Sequence, residues 1–228
     1  MSKPNRSVLS RAGRPARVMV VDDHPIVRQG YAQLIGGEPD LEVTGTAESQ
    51  NEALALMKAN PPDLALVDIT LKNSHGIELI KEIKKRFPQV AVLVISAHAE
   101  NLFAERALEA GALGFINKQE ATQKLLEGIR SVLDGDIYLS EAMTRRLVQR
   151  QIRGSVPVVG SAVSALSDRE LAVFQLIGQG QGTRQIASQM HLSPKTIERY
   201  KENIKHKLEI DNATELVQYA TRWVLENV

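Results

Sequence analysis

RVMVVDD, residues 17–23, runs four apolar positions straight into two adjacent acids. Neighbouring carboxylates repel, and neither is readily buried without a partner. A run that ends this way predicts a cation or a proton close by. Downstream, short apolar runs alternate with segments of helical period as far as Gly135. The strand candidates are 17–21, 41–46, 64–67, 90–95 and 112–116, and the helix candidates are 25–36, 49–59, 76–86, 101–110 and 120–134. Ser49 is a plausible N-cap, and Gly36 and Gly111 stand where helices should stop. Strict alternation of apolar strands and helices predicts a parallel sheet covered on both faces. Five such units fit a doubly wound α/β fold, whose ligands gather beyond the carboxyl ends of the strands.

That rule selects residues. Just past the strand ends stand Asp22 and Asp23, then Asp68, then Ser96, then Lys118. Three acids, a hydroxyl and a lysine are expected to converge on one rim of the sheet. Carboxylates at contact distance need a counter-charge, and an all-oxygen ligand set favours a hard divalent ion, best Mg²⁺, which leaves room for a phosphate oxygen. Lys118 can pair with a phosphoryl group as a point charge, and Ser96 can hydrogen-bond another oxygen. If a carboxylate attacks phosphorus, these groups neutralise the charge spread over the equatorial oxygens. Taken alone, an Asp-Asp pair after a strand is usually a turn or a helix N-terminus, and an aromatic such as Phe115 at a strand end is usually core. The joint placement is what favours a site.

Composition limits the alternatives. The chain has 228 residues, enough for two domains, with 43% hydrophobic and 24% charged residues and no cysteine. Disulfides and thiolate metal sites are excluded, and the expectation is a cytoplasmic protein without membrane spans or a signal peptide. The net charge of +1 conceals an asymmetry. Residues 17–135 carry 12 Lys+Arg against 17 Asp+Glu, a balance of −5, whereas residues 1–16 carry four basic side chains and no acid. Residues 1–16 read most simply as a basic disordered tail, with DNA contact the lesser alternative. The segment 137–163 reads as a helix, from Ile137 to Gln151, followed by a Gly/Ser/Val-rich flexible linker.

The last 65 residues balance eight basic against eight acidic side chains and contain no strand-like stretch. Ser167 and Glu170 form a capping box for a helix over 168–178, and Thr183 is a candidate cap for a short helix ending near Met190. Ser193 caps a third, with Pro194 at its first position, and Asn212 with Glu215 starts a fourth. GQGQGT (178–183) superficially suggests a phosphate loop but follows a helix, so a helix end and tight turn explain it. In the third helix Ile197, Ile204 and Leu208 share one face, and Lys195, Arg199, Glu202 and His206 lie opposite, flanked by Glu198 and Lys205. A charged helix face is usually only solvated. Here residues 193–208 hold five Lys+Arg against two acids inside a neutral segment, which favours a recognition helix in a major groove. Arg199 suits guanine, Glu202 suits cytosine, and Lys195, Lys201 and Lys205 suit phosphates.

With these motifs placed, the chain resembles a two-component response regulator of the NarL/FixJ family, a receiver domain followed by a LuxR-type helix-turn-helix. The resemblance rests on the acid pair at 22–23, LVDITL around Asp68, Gly76 eight residues later, VIS ending in Ser96, GFINK with Phe115 and Lys118, and LSDRE and KHKL in the helical part. It implies a flavodoxin-like receiver with sheet order 2-1-3-4-5 over 17–136 and a four-helix domain over 164–228. It implies phosphoryl transfer to Asp68 from a sensor histidine kinase. Mg²⁺ would be held by Asp22, Asp23, Asp68 and the Thr70 carbonyl, with Asp22 acting mainly through water. Ser96 and Lys118 would hold the phosphoryl group, and Phe115 would be the switch aromatic. Promoter DNA would be bound by a homodimer through Thr183, Lys195, Thr196, Glu198, Arg199, Lys201, Glu202, Lys205 and His206.

The sequence departs from the family pattern at Lys72 and Gln119, each where a proline is common, and at Tyr200, Gly182, Thr183 and Gln185. The first two bear on the lifetime of the phosphorylated state, the others on the operator sequence. Leu216, Tyr219 and Trp223 are either dimer contact or core. A dehalogenase-type phosphatase is disfavoured because Thr70 stands where that chemistry wants a second acid. A receiver that is never phosphorylated is disfavoured by the complete acid cluster. A switch, not a turnover enzyme, is expected.

Overall fold

A computed structural model describes residues 14–71, 74–97, 100–152 and 162–227. Most of the basic tail, Lys72 and residues 153–161 of the expected linker lie outside the described residues. The chain forms two compact units, Met1–Glu141 and Ala142–Val228.

In the first unit the strands β1 (Ala16–Val21), β2 (Leu41–Ala47), β3 (Leu64–Asp68), β6 (Ala91–Ser96) and β7 (Gly114–Asn117) make one sheet. Its order is β2-β1-β3-β6-β7 and every pairing is parallel. Counting only these strands, that is the expected 2-1-3-4-5. The helices α1 (Pro25–Gly36), α2 (Gln50–Ala59), α3 (Gly76–Arg86) and α4 (Glu100–Glu109) connect them in turn, and α5 (Ala121–Asp134) follows β7. Ser49 caps α2 by accepting the Glu52 N–H, whereas α1 ends at Gly36 with Gly37, in right-handed conformation, as its cap.

The strand side chains divide by the two-residue period. Val18, Val20, Leu64, Leu66, Leu93, Ile95 and Ile116 pack with Ile35, Leu125 and Ile129 on one face. The alternate positions Met19, Val21, Ala65, Val67, Val92 and Val94 are equally buried beneath the other layer of helices. Each large apolar side chain taken out of water in this way contributes roughly 2 kcal/mol. Apolar strands therefore need no further explanation; the acids at their ends do.

Two local features shape the site's rim. After Asp68 the chain makes a small antiparallel pair, β4 (Thr70–Leu71) with β5 (Ser74–His75). Gly76 follows, its N–H donating to the Ile69 carbonyl at 2.7 Å. A Cβ at Gly76 would collide with the Asp68 carbonyl oxygen and come within 2.7 Å of Ile69 Cα. Only glycine lets α3 begin this close to the end of β3.

The helix expected from Ile137 begins only at Glu141, as α6 (Glu141–Ile152). Tyr138 instead lies alongside Gly114, the Phe115 N–H donating to the Tyr138 carbonyl and the Tyr138 N–H to the Leu113 carbonyl, each at 2.9 Å. The Ser140 N–H donates to Glu100 Oε1 at 2.9 Å. Main-chain pairing with β7 thus overrides helical propensity over 137–140.

The second unit contains a 3₁₀ turn (Ala162–Ala165) and the helices α7 (Asp168–Gly178), α8 (Thr183–Gln189), α9 (Pro194–Leu208) and α10 (Ala213–Asn227). The Ser167–Glu170 capping box is present, and Ser193 accepts the Thr196 N–H at 3.1 Å. Asn212 accepts the Glu215 N–H at the start of α10. For α8 the cap is Gly182 rather than Thr183: the Gln185 side chain accepts the Gly182 N–H, and Thr183 is already helical. Leu216 is buried, and the Tyr219 and Trp223 rings meet Phe174 edge-on with centroids 5.8 and 5.5 Å away. Leu216 thus belongs to the core of the unit, and Tyr219 and Trp223 pack on Phe174 of α7 while remaining half-buried.

Candidate functional site

The rim of the sheet holds a buried charge cluster. Asp22 is fully buried at the end of β1, Asp68 is 2% exposed at the end of β3, and Asp23 is 8% exposed. Three acids so placed would repel one another. Lys118, at the end of β7, answers with its ammonium 2.7 Å from Asp22 Oδ2 and 2.7 Å from Asp68 Oδ2. Burial pushes the Asp68 carboxyl up to about 7, against the pull of Lys118 and with the push of Asp22 and Asp23. Burial works against the Lys118 charge, but Asp68 and Asp22 outweigh it and raise that ammonium above its ordinary range.

Asp22 is held from several directions. Its Oδ1 accepts the His24 N–H at 2.8 Å, and its carbonyl accepts from the Arg28 guanidinium of α1. One ligand atom each from Asp22, Asp23, His24 and Asp68 lies within 4.8 Å of the others. Ligands on opposite sides of a small divalent ion with bonds near 2.1 Å are ~4.2 Å apart. The cluster therefore has the size and the donor chemistry to chelate a divalent metal.

Ser96 is fully buried at the end of β6 and pairs in the sheet with Asn117; its carbonyl accepts the Lys118 N–H at 2.8 Å. The hydroxyl residue and the lysine are thus fixed by one strand pairing. Phe115 is buried in β7, one strand position from Ile116 and on the opposite face. It lines a cavity of about 90 Å³ with Glu100, Asn117, Lys124 and Tyr138. Thr70 stands two residues beyond Asp68 in the β4–β5 pair. Gln119, one of the departures from the family pattern, donates its N–H to the Asn117 side chain.

In the helical unit, α8 and α9 are joined by a turn in which His191 takes a left-handed conformation (φ 52°). Ile197, Ile204 and Leu208 are buried, and Lys195, Arg199, Glu202 and His206 are exposed, as their spacing predicts. Thr183 donates its hydroxyl to Glu198 at 2.6 Å, and the Lys201 ammonium reaches Thr183 Oγ1 at 2.8 Å and Glu198 at 3.2 Å. That Thr183 bond, with Lys201, holds the Glu198 carboxyl below the usual range. Thr196 is half-buried and meets the Ser193 hydroxyl at 2.8 Å. Lys205 pairs with Glu202 at 3.0 Å, and the Arg199 guanidinium lies 5.9 Å from the centre of the Tyr200 ring.

Two family profiles match. One described as "Response regulator receiver domain" spans residues 18–130, and one described as "Bacterial regulatory proteins, luxR family" spans 164–220. The chain is 31% identical over 210 residues to "Response regulator UvrY" of Escherichia coli O6:H1, covering 92% of this chain and 95% of that one. This chain is a response regulator. It is also 34% identical over 204 residues to "Transcriptional activator protein ExaE" of Pseudomonas putida, covering 89% and 94% of the two chains. Among solved structures, RcsB from Salmonella enterica serovar Typhimurium, bound to promoter rprA in the presence of phosphomimetic BeF3-, matches with a TM-score of 0.59 and 25% identity. That match covers 91% of this chain and 99% of RcsB.

Response regulators are signalling switches rather than turnover enzymes. Among the described residues of this one, no helix is long and apolar enough to cross a membrane. Two features of the regulator escaped the sequence reading. His24 belongs to the acid cluster, and its only signal was adjacency to Asp23. The buried Glu170 of α7 is tied to Lys207 of α9 at 2.7 Å. Lys207 therefore serves the packing of the unit.

Proposed function

We propose that this response regulator is a phosphorylation-switched transcription regulator, activated at Asp68 by a sensor histidine kinase in a Mg²⁺-dependent step and binding promoter DNA as a dimer. The observation that carries the reading is the Lys118 ammonium poised 2.7 Å from both Asp22 and Asp68 in a buried rim. Asp22, Asp23, Asp68 and the Thr70 carbonyl would hold the ion, which when bound supplies charge neutralisation to the phosphoryl oxygens. An Asp68 carboxylate oxygen attacks phosphorus. The new O–P bond forms as the donor's P–N bond breaks, and that electron pair returns to the donor imidazole. Lys118 exchanges part of its carboxylate pairing for a phosphoryl oxygen, and the Ser96 hydroxyl donates to another. Phe115, in the strand that leads into Lys118, is the nearby buried group whose packing responds.

The output side follows the same logic of exchange. Thr183, Lys195, Thr196, Glu198, Arg199, Lys201, Glu202, Lys205 and His206 would form the DNA surface, with Arg199 and Glu202 reading bases. Lys201 and Lys205 would trade their glutamate partners for phosphates. RcsB, captured on a promoter with a phosphomimetic, supports this reading for a chain of the same two-part organisation. The operating boundaries are a receiver over 17–136, a connector over 137–163 and a DNA-binding domain over 164–228, in a cytoplasmic protein.

Incubation with a small phosphodonor and Mg²⁺, followed by intact-mass measurement, tests the proposal. A single adduct of about 80 Da that chelation prevents and Asp68→Asn abolishes is the expected result. Steady donor consumption without an adduct would mean an enzyme instead, and no adduct at all a binding-only module.

A further inference from the structure

The triplet Asp22-Asp23-His24 sets an imidazole beside the acid cluster, and the switching reaction gives it no task. His24 Nδ1 lies 2.7 Å from Asp23 Oδ1 and 3.4 Å from Asp22 Oδ1. Two ligand atoms at right angles on an ion with ~2.1 Å bonds sit about 3.0 Å apart. The observed separations bracket that value.

The backbone places the ring there. The His24 N–H donates to Asp22 Oδ1, and Pro25 occupies the first position of α1. His24 is the residue preceding that helix, yet its side chain makes no capping hydrogen bond. Its side chain is 52% exposed, so an ion arriving from solvent meets the ring as it meets the acids. Lys118 approaches Asp22 from the other carboxylate oxygen, Oδ2, leaving the Oδ1 side to His24.

We propose that His24 is a nitrogen ligand of the divalent-ion site and widens it from magnesium to first-row transition ions that accept imidazole. The inference rests on the ion-site reading above. Mg²⁺ prefers oxygen and keeps its waters, so the ring adds little to its binding. Borderline ions of the transition series gain from an imidazole, so selectivity shifts toward them. An ion that takes the ring is held by the entrance of α1 as well as by the strand ends.

Untagged full-length protein loaded with Mn²⁺ and measured by pulsed electron paramagnetic resonance tests this. The expected result is ¹⁴N modulation from one coordinated imidazole, which His24→Ala removes. Ni²⁺ affinity by calorimetry should fall about tenfold in that variant, while Mg²⁺ affinity changes by less than about twofold. Bound Mn²⁺ without nitrogen coupling, or coupling that survives His24→Ala, overturns the role of His24 and leaves the acid site standing. If neither Mn²⁺ nor Mg²⁺ binds, the ion site itself is overturned.

Discussion

The two units manage their charges oppositely. At the rim of the sheet, Asp22, Asp68 and Lys118 are taken out of water and hold one another at 2.7 Å. On α9 the charges stay at the surface, in pairs such as Glu202–Lys205 that solvent and salt screen. A buried cluster is costly to break and cheap to rearrange around an added ion or phosphoryl group. Surface pairs are worth little to stability and can be surrendered to a partner. The first arrangement suits a site that stores a state, the second a site that reads one.

The difference is open to attack from both sides. Lys118→Met leaves Asp22 and Asp68 buried without their counter-charge. The expected cost is about 3–5 kcal/mol in urea unfolding of the receiver, partly recovered by added Mg²⁺. Recovery of nothing would count against a divalent-ion site. Gly76→Ala comes next: the added methyl group must push α3 away from Asp68, for a loss of roughly 2–3 kcal/mol and slower phosphoryl uptake by intact mass.

On α9 the readout changes from stability to binding. Arg199→Ala should leave the melting curve in place and lose about 1–3 kcal/mol of discrimination between operator and mutated operator. Lys205→Ala should weaken every sequence alike and lower the salt slope by about 1. Equal loss of preference in both variants would break the division between base reading and phosphate contact.

Glu170 sharpens the comparison, because it is a buried acid inside the helical unit. Burial works against its charge, but Lys207 and the Ser167 N–H hold its carboxyl below the ordinary glutamate range. Since the folded value is depressed, its stabilisation is present above the unfolded value of about 4.3 and is lost as pH falls through the folded one. Glu170→Gln should lower stability near neutral pH by about 1 kcal/mol and flatten this acid dependence in thermal unfolding.

Legibility follows the same division. Strand ends are legible because a buried parallel strand must be apolar, so the first charged residue marks its exit; Asp22, Asp68 and Lys118 come from that rule alone. The buried face of α9 is legible by period. Pairings across elements are not: Lys201 meets Thr183 and Lys207 meets Glu170 over separations of 18 and 37 residues, which no local pattern spans. Residues 137–140 misled because their apolar character fits a helix as well as an extended strand neighbour. What decides is the free backbone of β7, which no local pattern displays. His24 escaped because a lone histidine after two acids carries no periodic signature.

The segment at Tyr138 has a practical corollary. β7 is the last strand of the sheet, and the chain itself provides its next neighbour. Tyr138 covers Gly114, where an added Cβ would meet the Tyr138 carbonyl oxygen at 2.8 Å. A fragment ended at Gly135 would present bare amide and carbonyl groups to any extended peptide in solution. Sedimentation should find such a fragment self-associating and one ended after Glu141 monodisperse, so where the scissors fall would govern solubility more than whether the domain can fold.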